Sequence, residues 1–184
     1  MKRYIAFLRA INVGGRTVKM DKLTQLFESL GFTDVDTFLA SGNVIFRSGE
    51  EAESQLQKEI EASLGKTLGF TVATFLRSDE EVAEVARYKP FRGTVLQSAQ
   101  ALNIGFLAAP LGRKDGKTLM QFKTTIDDFH IHGREIYWLC QKKQSESTFS
   151  NVSFEKALGI RATFRGINTI QKLAQKYPPL NGSS

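Results

Sequence analysis

Tyr4-Ile5-Ala6-Phe7-Leu8-Arg9-Ala10-Ile11-Asn12-Val13-Gly14-Gly15-Arg16 is the stretch on which the fold reading turns. Tyr4 to Leu8 is almost wholly apolar, which predicts a strand buried on both faces, central in a sheet. The paired glycines behind it predict a turn with positive φ, open to close approach by another group. Past Thr17, Val18 and Lys19, the residues Met20, Leu23, Leu26, Phe27 and Leu30 recur at helical spacing, and Gly31 stands where a helix-terminating glycine belongs. Strand, glycine turn and amphipathic helix therefore open the chain.

The same reading extends through the first half. Val35–Leu39 and Val44–Arg47 predict two short strands joined by a tight turn over Ala40-Ser41-Gly42-Asn43. Ser48-Gly49-Glu50-Glu51 has the spacing of a capping box, ahead of a helix with Ala52, Leu56, Ile60 and Leu64 on one face. A fourth strand is expected over Phe70–Leu76. Ser78-Asp79-Glu80-Glu81 is a second capping box, opening a short helix that ends before Pro90.

Beyond a connection at 89–100 the order repeats. Ala101–Ala108 predicts a strand, and Pro110–Phe122 a glycine-interrupted helix. Asp128–His132 and Glu135–Cys140 form a hairpin over Gly133-Arg134. Asn151–Leu158 predicts a helix closed by Gly159, and Ala162–Phe164 a brief strand. A last helix carries Ile167, Ile170, Leu173 and Ala174 up to Pro178. The expected fold class is α+β, with two ferredoxin-like β-α-β-β-α-β subdomains related by duplication, at 1–90 and 91–184. This expectation rests on element order. The tail Asn181-Gly182-Ser183-Ser184 is expected to be disordered.

Composition sets the bounds on function. The formal net charge is +6, unevenly spread: residues 50–90 hold five Lys/Arg against nine Asp/Glu, and residues 91–184 hold thirteen against six. Basic ends suit phosphate-bearing partners. Cys140 is the single cysteine and sits in an apolar strand pattern, so it reads as a small buried hydrophobe with no disulfide partner. The start, Met1-Lys2-Arg3-Tyr4, carries no signal-peptide pattern, and no apolar run is long enough to span a bilayer. A cytoplasmic protein without membrane association is expected.

Tyr4 through Gly15, followed by Val18-Lys19-Met20, resembles the opening signature of the DUF1697 family of uncharacterised bacterial proteins. The resemblance continues at Leu30-Gly31-Phe32 and Ser41-Gly42-Asn43-Val44-Ile45-Phe46. It returns at Glu155-Lys156-Ala157-Leu158-Gly159, Ala162-Thr163-Phe164-Arg165, Asn168-Thr169 and Lys172-Leu173. It implies an α+β fold of two related halves and brings no established activity. Two positions depart from the family pattern. Arg165-Gly166-Ile167-Asn168-Thr169 stands where the family usually has Arg-Asn-Trp-Asn-Thr, and Ser147-Thr148 where it often has Ser-Lys.

The chemistry-bearing candidates cluster at the first loop. Backbone N–H groups at Gly14 and Gly15, with Arg9, Asn12, Arg16 and Lys19 around them, could hold an anion such as phosphate. The spacing is neither a P-loop nor a dinucleotide fingerprint, and no cofactor is expected. Ser41 and Asn43 add a hydroxyl and an amide if the hairpin tip lies beside that loop. Arg165, Asn168 and Thr169 form a third group at the start of the last helix, with the two polar residues read as helix-start residues. His130 and His132 share one strand face with Asp128, but nothing supplies a further ligand at a recognised spacing, and no metal is expected. A phosphate-containing small molecule or nucleic acid is thus the expected partner. Two other readings compete: an enzyme acting on a small anionic substrate, and a protein–protein interaction module.

Overall fold

The computed structural model describes residues 1–39, 42–49 and 52–180. By chain contacts it divides into two units, one of residues 1–84 with 173–184 and one of residues 85–172.

The first unit runs β1 (Lys2–Leu8), α1 (Met20–Ser29), β2 (Thr33–Thr37), β3 (Asn43–Ser48), α2 (Glu53–Leu68) and β4 (Thr74–Ser78), and continues into α3 (Asp79–Arg87). Its sheet is antiparallel, in the order β2-β3-β1-β4. β1 is central, as its unbroken apolar run demands: Tyr4 through Leu8 are all buried. One face of the sheet, with Tyr4, Ala6, Leu8, Val44, Phe46 and Leu76, packs against Leu23, Leu26 and Phe27 of α1 and Leu56, Ile60 and Leu64 of α2. Each fully buried Leu or Ile contributes about 1.5–3 kcal/mol of burial free energy.

The second unit repeats that order after α4 (Gly93–Ser98). Its elements are β5 (Ala101–Phe106), α5 (Arg113–Met120), β6 (Asp127–His132), β7 (Glu135–Cys140), a 3-10 turn at Gln144–Glu146, α6 (Asn151–Leu158) and β8 (Thr163–Gly166). Its sheet, β6-β7-β5-β8, is again antiparallel, with the second-unit strands in the same relative places. α7 (Ile167–Lys176) follows, and its last turn belongs to the first unit. The registers correspond as well. Ile5 faces Ile45 and Arg77, while Ile104 faces Tyr137 and Arg165; Tyr4 faces Phe46 and Ser78, while Asn103 faces Trp138 and Gly166.

Local signals account for most element ends. Gly31 and Gly159, at φ 83° and 67°, terminate α1 and α6 in the left-handed conformation that favours glycine. The box at Ser78 forms in full: its Oγ accepts from Glu81 N–H at 3.1 Å, and Glu81 Oε2 accepts from Ser78 N–H at 2.8 Å. The expected box at Ser48 falls in part on Glu50 and Glu51, which lie outside the described residues, as do Ala40 and the tail 181–184. Ser48 itself is the last residue of β3, and α2 starts at Glu53 behind Ala52, which is exposed. β4 begins at Thr74, four residues later than the apolar pattern suggests, because Phe70 and Val72 pack against the helices before the ladder with β1 starts. Cys140 is fully buried, and burial pushes its thiol above its ordinary value.

Candidate functional site

The loop from Arg9 to Lys19 is held by its own residues. Asn12 Oδ1 accepts from Val18 N–H at 2.7 Å, which ties the two ends together, and Ile11 and Val18 are buried beneath it. Leu8 N–H donates to Gly42 O, and Arg9 N–H to Ala73 O, both at 2.9 Å, so the strand end is anchored on both sides. Gly14 and Gly15, at φ 62° and 79°, are exposed, and a Cβ at either would meet nothing within 4 Å. Their glycines answer the backbone conformation; no group approaches them closely.

The closed loop delivers Arg16 and Lys19 to the start of α1. The Arg16 guanidinium lies over the Phe70 ring, 4.3 Å from its centroid, a cation–π geometry. Phe70 reaches this place because Gly69, at φ 78°, turns the chain sharply out of α2. Arg16, Lys19 and Lys22 line one cleft of about 340 Å³, with Leu68 and Phe70 as its apolar side. All three cations are exposed. Lys19 is the N-cap of α1 and stays extended, so the positive end of the helix dipole opens beside the cleft, offset in part by Asp21 in the first turn. No carboxylate lines the cleft among the described residues. Such an arrangement can hold a negatively charged oxygen cluster and, through its apolar side, a hydrophobic portion of the same ligand.

The other predicted residues fall elsewhere. Asn43 is fully buried, and its Nδ2 donates to Phe38 O at 2.7 Å, which braces the hairpin. Ser41 lies outside the described residues. Arg9 is half-buried next to the loop. Arg165, Asn168 and Thr169 belong to the second unit. Arg165 is in β8, not the helix, and its guanidinium donates to Thr163 Oγ1 at 2.8 Å and Phe164 O at 3.0 Å. Burial lowers it to about 10, so it stays charged at neutral pH. α7 begins at Ile167, so Asn168 and Thr169 are helical residues rather than caps. The histidines turn to Tyr88: His130 Nε2 is 2.8 Å from its hydroxyl, and the His132 ring stacks on it at 3.9 Å.

Sequence reasoning missed Lys22 and Phe70. Lys22 had a signal, since it lies three residues beyond Lys19 on the same helix face. Phe70 had none, because its partner is far away in the chain.

In fold, the chain is similar to a conserved bacterial protein from Streptococcus pneumoniae, with a TM-score of 0.73 at 23% identity over 96% of this chain and 98% of that one. No curated protein matches it in sequence. The sequence model of DUF1697, described as a protein of unknown function, matches residues 1–137. That span takes in the glycine loop, the cleft and the hairpin, and stops short of the departures at Thr148, Gly166 and Ile167. The chain belongs to the DUF1697 family.

Proposed function

We propose that the loop–helix cleft of the first unit binds a phosphate-containing ligand. The observation that carries this reading is the convergence of Arg16, Lys19 and Lys22 on one cleft with an aromatic side. Arg16 offers a planar donor fork, pre-positioned by its stack on Phe70, and the lysines add point charges. Binding is favoured over catalysis because, among the described residues, no carboxylate lines the cleft to move a proton. A small phosphorylated molecule is favoured over single-stranded nucleic acid, since none of the fourteen phenylalanines is exposed to stack on a base.

Calorimetric titration with pyrophosphate, a mononucleotide and a mixed-sequence oligonucleotide tests this. Saturable binding of the small phosphates, weakened by salt and lost in the Arg16→Ala/Lys19→Ala variant, supports it. Binding that survives this double substitution refutes it, and binding of the oligonucleotide alone replaces it with a nucleic-acid interface.

We also infer that the two units are ferredoxin-like repeats. The shared strand order supports this, as does the correspondence of Ile5-Ala6-Phe7-Leu8 with Ile104-Gly105-Phe106-Leu107. The two buried arginines, Arg77 and Arg165, also stand at the same register position.

A further inference from the structure

Asn103 occupies a position that its counterpart strand fills with an aromatic ring. In the first unit that position is Tyr4, 3% exposed and stacked on Phe46 at 5.7 Å. In the second, Asn103 faces Trp138 on one side and Gly166, which has no side chain, on the other. The smaller residue leaves a hollow of about 400 Å³, lined by Asn103, Trp138, Gln144, Phe149, Asn151 and Phe164 among others. A second hollow shares Asn103 and Gln144 and reaches Gln100 and Asn168. Among the described residues neither is lined by a charged side chain, although 24% of the chain is charged.

Two amide atoms around the first hollow lack partners. Asn103 Nδ2 is a buried donor with no acceptor, in a side chain that is itself more than nine-tenths buried. Asn151 Oδ1 is a buried acceptor with no donor, although its Nδ2 donates to Ala162 O at 2.8 Å. Buried polar atoms are almost always paired, and leaving one unpaired forfeits its hydration without return. Packing does not explain Asn103, since the first unit shows that an aromatic ring can fill the sheet position.

The walls are built to stay in place. Buried Asp127 accepts from the Trp138 indole N–H at 2.8 Å, from Thr124 Oγ1 at 3.0 Å, and from Ser147 Oγ at 2.8 and 2.9 Å on its two oxygens. Ser147 Oγ in turn accepts from Phe149 N–H at 3.0 Å. One carboxylate thus fixes the indole, the turn carrying Gln144, and Phe149, whose ring meets Trp138 edge-on at 4.8 Å.

We propose that this hollow binds an uncharged lactam or carboxamide edge. An orphan donor calls for an acceptor and an orphan acceptor calls for a donor, and an amide edge presents the two side by side. The apolar walls accept the rest of a small ring or chain, and the lack of charged groups selects against ionic ligands. The site is independent of the phosphate cleft, which lies in the other unit and carries three cations.

Trp138 is the chain's single tryptophan, so its fluorescence reports on the hollow directly. Uridine and 2-pyrrolidinone, a small lactam, are titrated into the whole chain, with inorganic phosphate as a control. The expected result is a saturable change with uridine, or with both amides, and none with phosphate. Uridine alone points to a nucleobase as the source of the edge; both point to any amide. Asn103→Leu is expected to weaken binding about tenfold or more, because it removes the donor. It is also expected to raise the melting temperature of the free protein, because the orphan atom is gone. If Asn103→Leu does not fold, Asn103→Ser gives the same test of binding. No saturable response to either amide, or an unchanged response in the variant that folds, overturns the proposal.

Discussion

Gly42 lies directly against Ile11: a Cβ at position 42 would stand 2.6 Å from Ile11 Cγ2 and 3.2 Å from Leu8 Cβ. The hairpin between β2 and β3 is therefore seated on the first loop, and the loop's shape depends on a missing side chain 31 positions away.

Gly42→Ala should destabilise the protein by about 1–3 kcal/mol, since the residue sits at φ 81° and its methyl would meet buried atoms. Gly14→Ala and Gly15→Ala meet only the backbone penalty, about 1–2 kcal/mol each, because the space around them is open. Urea unfolding midpoints should place Gly42→Ala at or beyond the lower end of the other two. A Gly42→Ala midpoint equal to wild type would contradict the seating.

In the cleft, Arg16→Lys should keep the charge but lose the planar stack on Phe70. Affinity for pyrophosphate should fall roughly two- to fivefold, corresponding to about 0.5–1 kcal/mol for an exposed cation–π contact. Phe70→Leu should weaken binding in the same direction without removing any charge. Equal affinity for all three proteins, measured by calorimetry at fixed salt, would mean that Phe70 does not position Arg16.

Asp36 gives a pH signature. Its carboxylate accepts from the Tyr177 hydroxyl, and also from Lys176 Nζ at 3.1 Å, and the Tyr177 bond above all holds it below its ordinary 3.8. A carboxylate lowered in the folded state stabilises fully above its unfolded value and loses that contribution as pH falls through the folded one. The wild-type melting temperature should therefore drop more steeply below about pH 4 than that of Asp36→Asn. The Tyr177 hydroxyl is raised, first by burial and then by Asp36, so its contribution holds below 10 and is lost on the alkaline side. Parallel acid limbs in thermal melts of the two proteins would remove Asp36 from the account.

Asp127→Asn should cost about 1.5–3 kcal/mol. The carboxylate accepts from Trp138, Thr124 and Ser147, and an amide has one acceptor oxygen for those three donors while presenting N–H groups to one of them. Ser147→Ala should cost less, about 1 kcal/mol, because Asp127 keeps two partners. Chemical denaturation followed by Trp138 fluorescence reads both the stability and the loosened indole.

What the chain made legible was local. The helix with Leu56, Ile60 and Leu64 shows in a four-residue spacing, the hairpin of β6 and β7 in Gly133-Arg134 between two strand-like runs, and the Ser78 box in four consecutive residues. Strand order was readable only as far as element order implies it. The glycine loop was readable as a turn, and Arg16 and Lys19 as cations near a helix start. Asn12 was read as a ligand group, but its carbonyl is taken by Val18. Asn43 was read likewise, and its amide is taken by Phe38.

Periodicity, capping and glycine placement act within about one helical turn or one hairpin, so the sequence by itself determined most of the elements and their order, while the short helix α4 formed within 89–100, where only a connection was expected. Partners distant along the chain were decided by the tertiary structure: Phe70 beneath Arg16, Ile11 against Gly42, Tyr177 on Asp36, and the unpaired amides of Asn103 and Asn151 around one hollow. The physical reason is that a side chain's hydrogen bonds and stacking partners depend on which surfaces the sheets bring together. No spacing along the chain encodes that meeting, because it exists only once β1, β5 and their neighbours have paired.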